Sequence, residues 1–325
     1  MSHHSIVFRR CSIHTITPES IQSLGRLKYL NLAENQLRTV PSVLGTLSSL
    51  EHLDFSYQCT LLPCDITGKF SNITFTLTNT SFLGMNNLRR LDVRGLRGTL
   101  DADSLVSVPS LEELDISSIS LTAIDALAFE ATPFLRRLTC THCWVLEPTP
   151  AAAWTSLSNL TYLDFSYSPS AIIPANLSHS PLLISTFSNL RVLNLTCSLV
   201  SDHSQHSLCD EYLYQYDAPM NPTLLMSMER LEVLHLGKNG LTSWTDRWFK
   251  KNPHLRRLSI EFNKFRSLTA AMLEDFARFD FNIFIWPVCM ARLINQTSPT
   301  RSIFEVACKW TPFGVETPIK NRHIF

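Results

Sequence analysis

A single spacing governs this chain. In the segment LKYLNLAENQLRTVP, apolar residues fall at Leu27, Leu30, Leu32, Leu37 and Val40, with an asparagine at Asn35. The same order returns at Leu231 (Leu234, Leu236, Asn239, Leu241, Trp244) and at Leu255 (Leu258, Ile260, Asn263, Phe265, Leu268). Softer copies begin at Leu50, Leu88, Leu111, Leu135, Leu160 and Leu190, and most starts lie 23 to 25 residues apart. An incomplete copy, Ile6, Phe8, Cys11, Ile13 and Ile16, precedes them, and an aromatic one is set on Phe276, Phe279, Phe281, Phe284 and Trp286. A repeat of this length is one supersecondary unit that cannot bury its own apolar face. The chain must therefore stack unit on unit around a shared interior.

Within each unit the alternation, as in Leu30 and Leu32 or Leu163 and Phe165, predicts a short strand with every second side chain turned inward. Asn35, Asn239 and Asn263 lie just past the strand, where the chain turns. A buried amide there serves backbone groups of neighbouring units that water cannot reach. Leu44, Leu105, Phe129, Phe249 and Leu273 recur later in their units and are expected to close the core from the opposite side.

The repeat runs over residues 1–286, about ten units plus the partial one, with insertions near 59–86 and 197–228; residues 287–325 read as a C-terminal cap, its core formed by Phe304 and Trp310 together with Trp286 at the end of the repeats. In the first insertion Ile73, Phe75 and Leu77 alternate as in a strand; in the second, Tyr212, Tyr214 and Tyr216 form either a half-buried strand or a binding strip. Formal net charge is +0, so no general attraction to nucleic acid or an anionic membrane follows from charge. No apolar run reaches the length of a membrane span, and the N-terminus lacks the apolar middle of a signal peptide.

The nine cysteines divide by register. Cys11 and Cys143 fall at the asparagine position and Cys140 on an inward strand position, so all three are expected to be packing thiols. CTHC is not a metal site on this reading, because no second pair of ligands follows, and His203 and His206 alone are too few. Cys59, Cys64, Cys197, Cys209, Cys289 and Cys308 lie outside the register and are disulfide candidates, as three local pairs in that order. Six N-x-S/T triplets, at Asn72, Asn79, Asn159, Asn176, Asn194 and Asn295, are glycosylation candidates. Disulfides and sequons favour a secretory history. A chain cut from something longer reconciles that history with the missing signal peptide.

The units LKYLNLAENQLRTVPSVLGTLSSL and LEVLHLGKNGLTSW resemble extracellular leucine-rich repeats, and interruptions bearing cysteine pairs and sequons resemble the ectodomains of Toll-like receptors. The resemblance implies an α/β solenoid, a horseshoe with parallel strands on its concave face. It also implies an extracellular module that recognises a protein or microbial ligand and dimerises in innate immune sensing. The chain departs from that family in having no membrane span, no signalling domain and no CxC-type cluster in its last residues. The other reading is a cytoplasmic interaction scaffold.

Residues between the inward leucines are expected on the concave face. One column is Asn31, Asp54, Asp92, Asp115, Thr139, Asp164, Asn194, His235, Ser259 and Asp280, either an acidic groove or a habit of the repeat. The next holds Arg90, Glu113, Arg137, Tyr162, Arg257 and Arg278, of mixed sign. Past the strands, Tyr57, Arg94, His142 and Tyr167 are the ligand-contact candidates, being aromatic or cationic. His52, His142 and His235 face the same side, within reach of titration between pH 5 and 7. No nucleophile-base pair, phosphate loop or metal motif is present, so catalysis and cofactors are not expected.

Overall fold

The computed structural model describes residues 4–58, 76–95, 97–147, 149–168, 186–198, 225–242, 248–265 and 274–275, with the backbone of 283–284. Eleven strands form one parallel sheet: β1 (Ser5–Val7), β2 (Tyr29–Asn31), β3 (His52–Asp54), β4 (Arg90–Asp92), β6 (Glu113–Asp115), β8 (Arg137–Thr139), β10 (Tyr162–Asp164), β11 (Val192–Asn194), β12 (Val233–His235), β13 (Arg257–Ser259) and β14 (Ile283–Phe284). Each pairs with the next in that order, so the chain advances one strand per coil. The concave sheet of the solenoid is built this way.

Register follows the leucines. Ile6, Leu30, Leu53, Leu91, Leu114, Leu138, Leu163, Leu193, Leu234, Leu258 and Ile283 stand opposite one another from strand to strand. Those from Leu30 to Leu258 are buried. On the far side Leu44, Leu105, Phe129 and Phe249 have no exposed surface; Leu273 lies outside the described residues. Leu77, Phe82 and Met85, within the expected first insertion, also enter this core. Among the described residues the far side is made mostly of turns, and it includes the short helix α1 (Pro18–Ile21) and the 3-10 segments Ser42–Thr46 and Ala151–Trp154. There Gly45 and Gly84 meet across adjacent coils: a Cβ on Gly45 would overlap the Leu83 carbonyl, and Gly84 has φ +91. Among the described residues no helix is long and apolar enough to cross a membrane.

The aromatic copy is shifted. Ile283, not Phe279, pairs with Leu258, and Phe284 takes the place opposite Ser259 that the sequence assigned to Asp280. The coil keeps its period, and the side chains that resemble a register do not reset it.

The asparagine position works as a ladder between coils. Asn263 donates to the carbonyls of Leu236 and Ile260, both at 2.8 Å, and accepts from the N–H groups of Asn239 at 2.9 Å and Leu241 at 3.0 Å. Asn35 does the same for Phe8, Leu32, Cys11 and Ile13. Gln58 and Ser168 substitute: Gln58 joins Leu32 O and Leu37 N, and Ser168 joins Cys140 O and Cys143 N. At Ile119 no such side chain exists. There a second parallel sheet forms instead, from β5 (Arg97–Leu100), β7 (Ser120–Ile124) and β9 (Trp144–Val145). Main-chain pairing, such as Trp144 N to Ile119 O at 3.0 Å, then links these coils where no ladder amide does.

The cysteine expectations need three corrections. Cys140 and Cys143 are bonded to each other rather than standing as packing thiols. Both point inward from one turn, and their Cα atoms lie 5.5 Å apart, within disulfide reach. Cys11 is exposed, because β1 is the outermost described strand and no described coil covers it. Cys197 lies in register rather than outside it, its N–H bonded to Gly237 O as Tyr167 N is to Thr196 O. Cys197 is disulfide-bonded. Cys59, Cys64, Cys209, Cys289 and Cys308 lie outside the described residues, as do His203, His206, Tyr212, Tyr214 and Tyr216.

Candidate functional site

Each coil leaves its strand through the same two steps. The first uses the column that ends the strand. Oδ1 of Asp54, Asp92, Asp115 and Asp164 accepts the N–H of the residue two places on, at 2.9–3.1 Å, and Asn31 and Asn194 do likewise. The side chain thereby imitates a backbone turn. That repeated job accounts for the acidic column without a ligand.

Stacked carboxylates repel, and the column contains its own remedies. Asn31 donates to Asp54 at 2.8 Å, and Asn194 to Asp164 at 3.1 Å. In the middle, Arg94 bridges Asp92 at 2.6 Å and Asp115 at 3.9 Å. Even so, burial pushes the Asp92 carboxyl up to about 6, and the neighbouring Asp54 and Asp115 add to the rise while Arg94 opposes it. A carboxyl whose folded pKa is raised binds its proton more tightly folded than unfolded. Its contribution to stability is therefore full below about pH 4 and is lost as pH rises through 6. Asp92→Asn keeps the turn, as Asn31 and Asn194 show, and is expected to flatten the fall in stability between pH 4 and 6. Urea midpoints measured across that range check it; parallel profiles for variant and parent would refute it.

The second step is a left-handed residue immediately before the ladder position. Glu34, Tyr57, Ser118, His142, Tyr167, Cys197, Lys238 and Phe262 all have φ between 53 and 56, and Gly95 has φ 81. Non-glycine residues rarely adopt this conformation. Here the inter-coil bonds on either side impose it, and it aligns one side chain per coil into a stripe beside the concave sheet.

Two long side chains in the stripe, Tyr57 and Lys238, reach across small ones. The Tyr57 hydroxyl reaches past Gly95 to Ser118 Oγ at 3.3 Å. The His142 and Tyr167 rings stack with centroids 4.8 Å apart and planes 3° from parallel. Lys238 Nζ crosses the small Cys197 to stand 5.3 Å from the Tyr167 ring and 5.7 Å from the Phe262 ring. His142, Tyr167, Lys238 and Phe262 thus make one continuous stack along the solenoid axis. Beside it on the sheet, the Arg137 guanidinium lies 3.4 Å over the Tyr162 ring, whose hydroxyl bonds Asp164.

Of the four contact candidates, the structure brings Tyr57 together with Arg94, whose guanidinium is 5.4 Å from the ring, and His142 with Tyr167. Arg94 sits one residue earlier than its supposed equivalents; Gly95 holds the stripe position in that coil. Lys238 and Phe262 were missed. Counting back one residue from Asn239 and Asn263 finds both. His52, His142 and His235 occupy three different columns, and burial, with Arg90 nearby, lowers the His52 pKa. The outermost sheet column alternates in sign, with Lys28–Glu51 at 2.6 Å, Arg89–Glu112 at 2.7 Å, and Arg191 paired with Glu232. These pairs are exposed and contribute little stability.

The sequence model of a family described as Leucine rich repeat matches residues 4–58 and 229–280. The fold is a leucine-rich-repeat horseshoe. The chain is similar to human Toll-like receptor 9, 24% identical over 270 residues, which cover 74% of this chain and 25% of that receptor. The chain thus spans about a quarter of the length of this curated relative. Its fold is also that of the receptor in the TLR13–ssRNA13 complex, with TM-score 0.58 and 19% identity over 84% of this chain and 38% of the other. The Drosophila Toll–Spatzle complex gives TM-score 0.52 and 17% identity over 83% of this chain and 35% of the other.

Proposed function

We propose that this leucine-rich-repeat chain is the ligand-recognition part of an extracellular Toll-like innate immune receptor. It engages a protein or microbial ligand through the stripe from Tyr57 to Phe262 and takes part in dimerisation. One observation carries the site: the continuous His142, Tyr167, Lys238 and Phe262 stack. Tyrosine and arginine are among the residues that dominate binding energy in interfaces, and Tyr167 in the stack, and Tyr57 earlier in the stripe with Arg94 beside it, are of those types. Support for an oxidising compartment comes from the Cys140–Cys143 bond and from bonded Cys197. A cytoplasmic scaffold is the alternative, and it would contain neither. Recognition rather than catalysis is the role this surface suits.

A second class of ligand, single-stranded nucleic acid, is favoured by the parallel stacked rings beside a lysine. Bases stack on such platforms while cations follow the backbone. One structural neighbour was solved with single-stranded RNA, another with the protein Spatzle.

Full-length chain immobilised on beads, beside a His142→Ala, Tyr167→Ala, Lys238→Glu variant, separates these. Wild-type protein is expected to retain a ligand from extracellular fluid at least about tenfold better than the variant. Fluorescence anisotropy with a labelled single-stranded oligonucleotide tests the second class. Equal retention by both proteins, with circular dichroism unchanged, would refute the stripe.

A further inference from the structure

The three sequons among the described residues stand in different situations. Asn79 is exposed in a turn on the outer side, just before Phe82 and Met85 enter the core, and its amide bonds no other described residue. Asn159 is exposed on the rim, where Nδ2 donates to Pro133 O at 2.8 Å. Asn87 and Asn189 make the same link between coils, to Ser48 O and Ser158 O. Asn194 is half-buried in the sheet; its Oδ1 accepts from Thr196 N and its Nδ2 donates to Asp164, a carboxylate only 7% exposed.

We propose that Asn79 carries an N-linked glycan and Asn194 does not, so that sugar covers the outer side and the binding face stays bare. The proposal rests on the extracellular reading above. In the modification, Asn79 Nδ2 attacks C1 of an oligosaccharide linked to a lipid pyrophosphate. The N–C1 bond forms, the C1–O bond breaks, a proton leaves the amide, and the lipid pyrophosphate departs. A glycan on Asn79 breaks no contact in the fold. One on Asn194 replaces a proton of the amide that serves Asp164 and stands between strands β10 and β12.

Timing follows from Ser81, the sequon hydroxyl. It accepts from Thr78 N at 2.7 Å and is 4% exposed, as Ser104 accepts from Asp101 N in the next coil. Once this turn closes, the hydroxyl is engaged. Transfer must therefore precede folding of the coil.

The test is glycopeptide mass spectrometry on the whole chain, secreted from animal cells behind a cleavable leader. Sugar on the Asn79 peptide with Asn194 unmodified supports the proposal. Sugar at another sequon with Asn79 bare, or sugar on Asn194, overturns it and leaves the extracellular reading standing. Absence of sugar from every sequon overturns both. Asn79→Gln is expected to remove one glycan and leave the melting temperature of the enzymatically deglycosylated protein unchanged. Ser81→Ala is expected to remove the same glycan and to lower that temperature as well, because Thr78 N–H loses its acceptor.

Discussion

Replacing Trp154 by alanine is expected to lower stability by about 3–5 kcal/mol. Trp154 ends a 3-10 segment on the outer side and is 2% exposed. Its ring stacks on Phe129 at 5.7 Å and meets Phe165 edge-on at 5.3 Å, so it spans the core from the outer turns to the strand side. Alanine would leave a cavity that neighbouring coils, fixed by the ladder, cannot collapse to fill. Trp154→Phe should lose far less, since the indole N–H is buried with no partner among the described residues and its removal offsets part of the lost contact. Urea unfolding monitored together with hydrogen exchange checks the pair of variants. Exchange matters because a solenoid need not unfold in one step. A loss below 1 kcal/mol for the alanine variant would contradict this account of the core.

Asn239→Ala is expected to lower stability by about 2–4 kcal/mol, more than any substitution in the stripe. The amide is fully buried, donates to Leu195 O at 2.8 Å and accepts from Ser198 N at 2.9 Å. Without it, two main-chain groups in the preceding coil lose their partners away from water. Asn35→Ala should be milder, because the coil it serves is the outermost described one and Cys11 is exposed. Asn239→Ser is expected to recover part of the loss, since Ser168 performs the same task two coils earlier. Equal midpoints for Asn239→Ala and a stripe variant such as Phe262→Ala would count against the ladder.

Much of the fold was legible because the repeat constrains each unit in the same way. Leu30, Leu114 and Leu234 announce the inward column by spacing alone, and Asn35, Asn239 and Asn263 announce the turn. Where the pattern is degenerate, legibility fails for a stated reason. Phe276 to Phe284 offer apolar residues at repeat spacing in the wrong phase, and only the distance from Leu258 to Ile283 selects the right one. Cys140 and Cys143 were each placed facing inward, but nothing in the one-dimensional spacing says that both side chains turn toward the same point. Spacing placed Tyr57, His142 and Tyr167 just past their strands, at the left-handed position where the structure has them. Lys238 was passed over because the stack that recruits it forms across coils, over Cys197, between residues far apart in sequence.

The amino-acid order by itself fixed the period, the buried column and the polar ladder, since each follows from which side chains water rejects and which backbone groups turns leave bare. Tertiary packing decided the rest: that a lateral sheet replaces the missing amide at Ile119, that Asp92 sits between two other carboxylates with Arg94 beside it, and that four side chains from separate coils stack into one surface. Those outcomes depend on the offset between successive coils, a few ångströms set by all their contacts at once, which no single unit encodes.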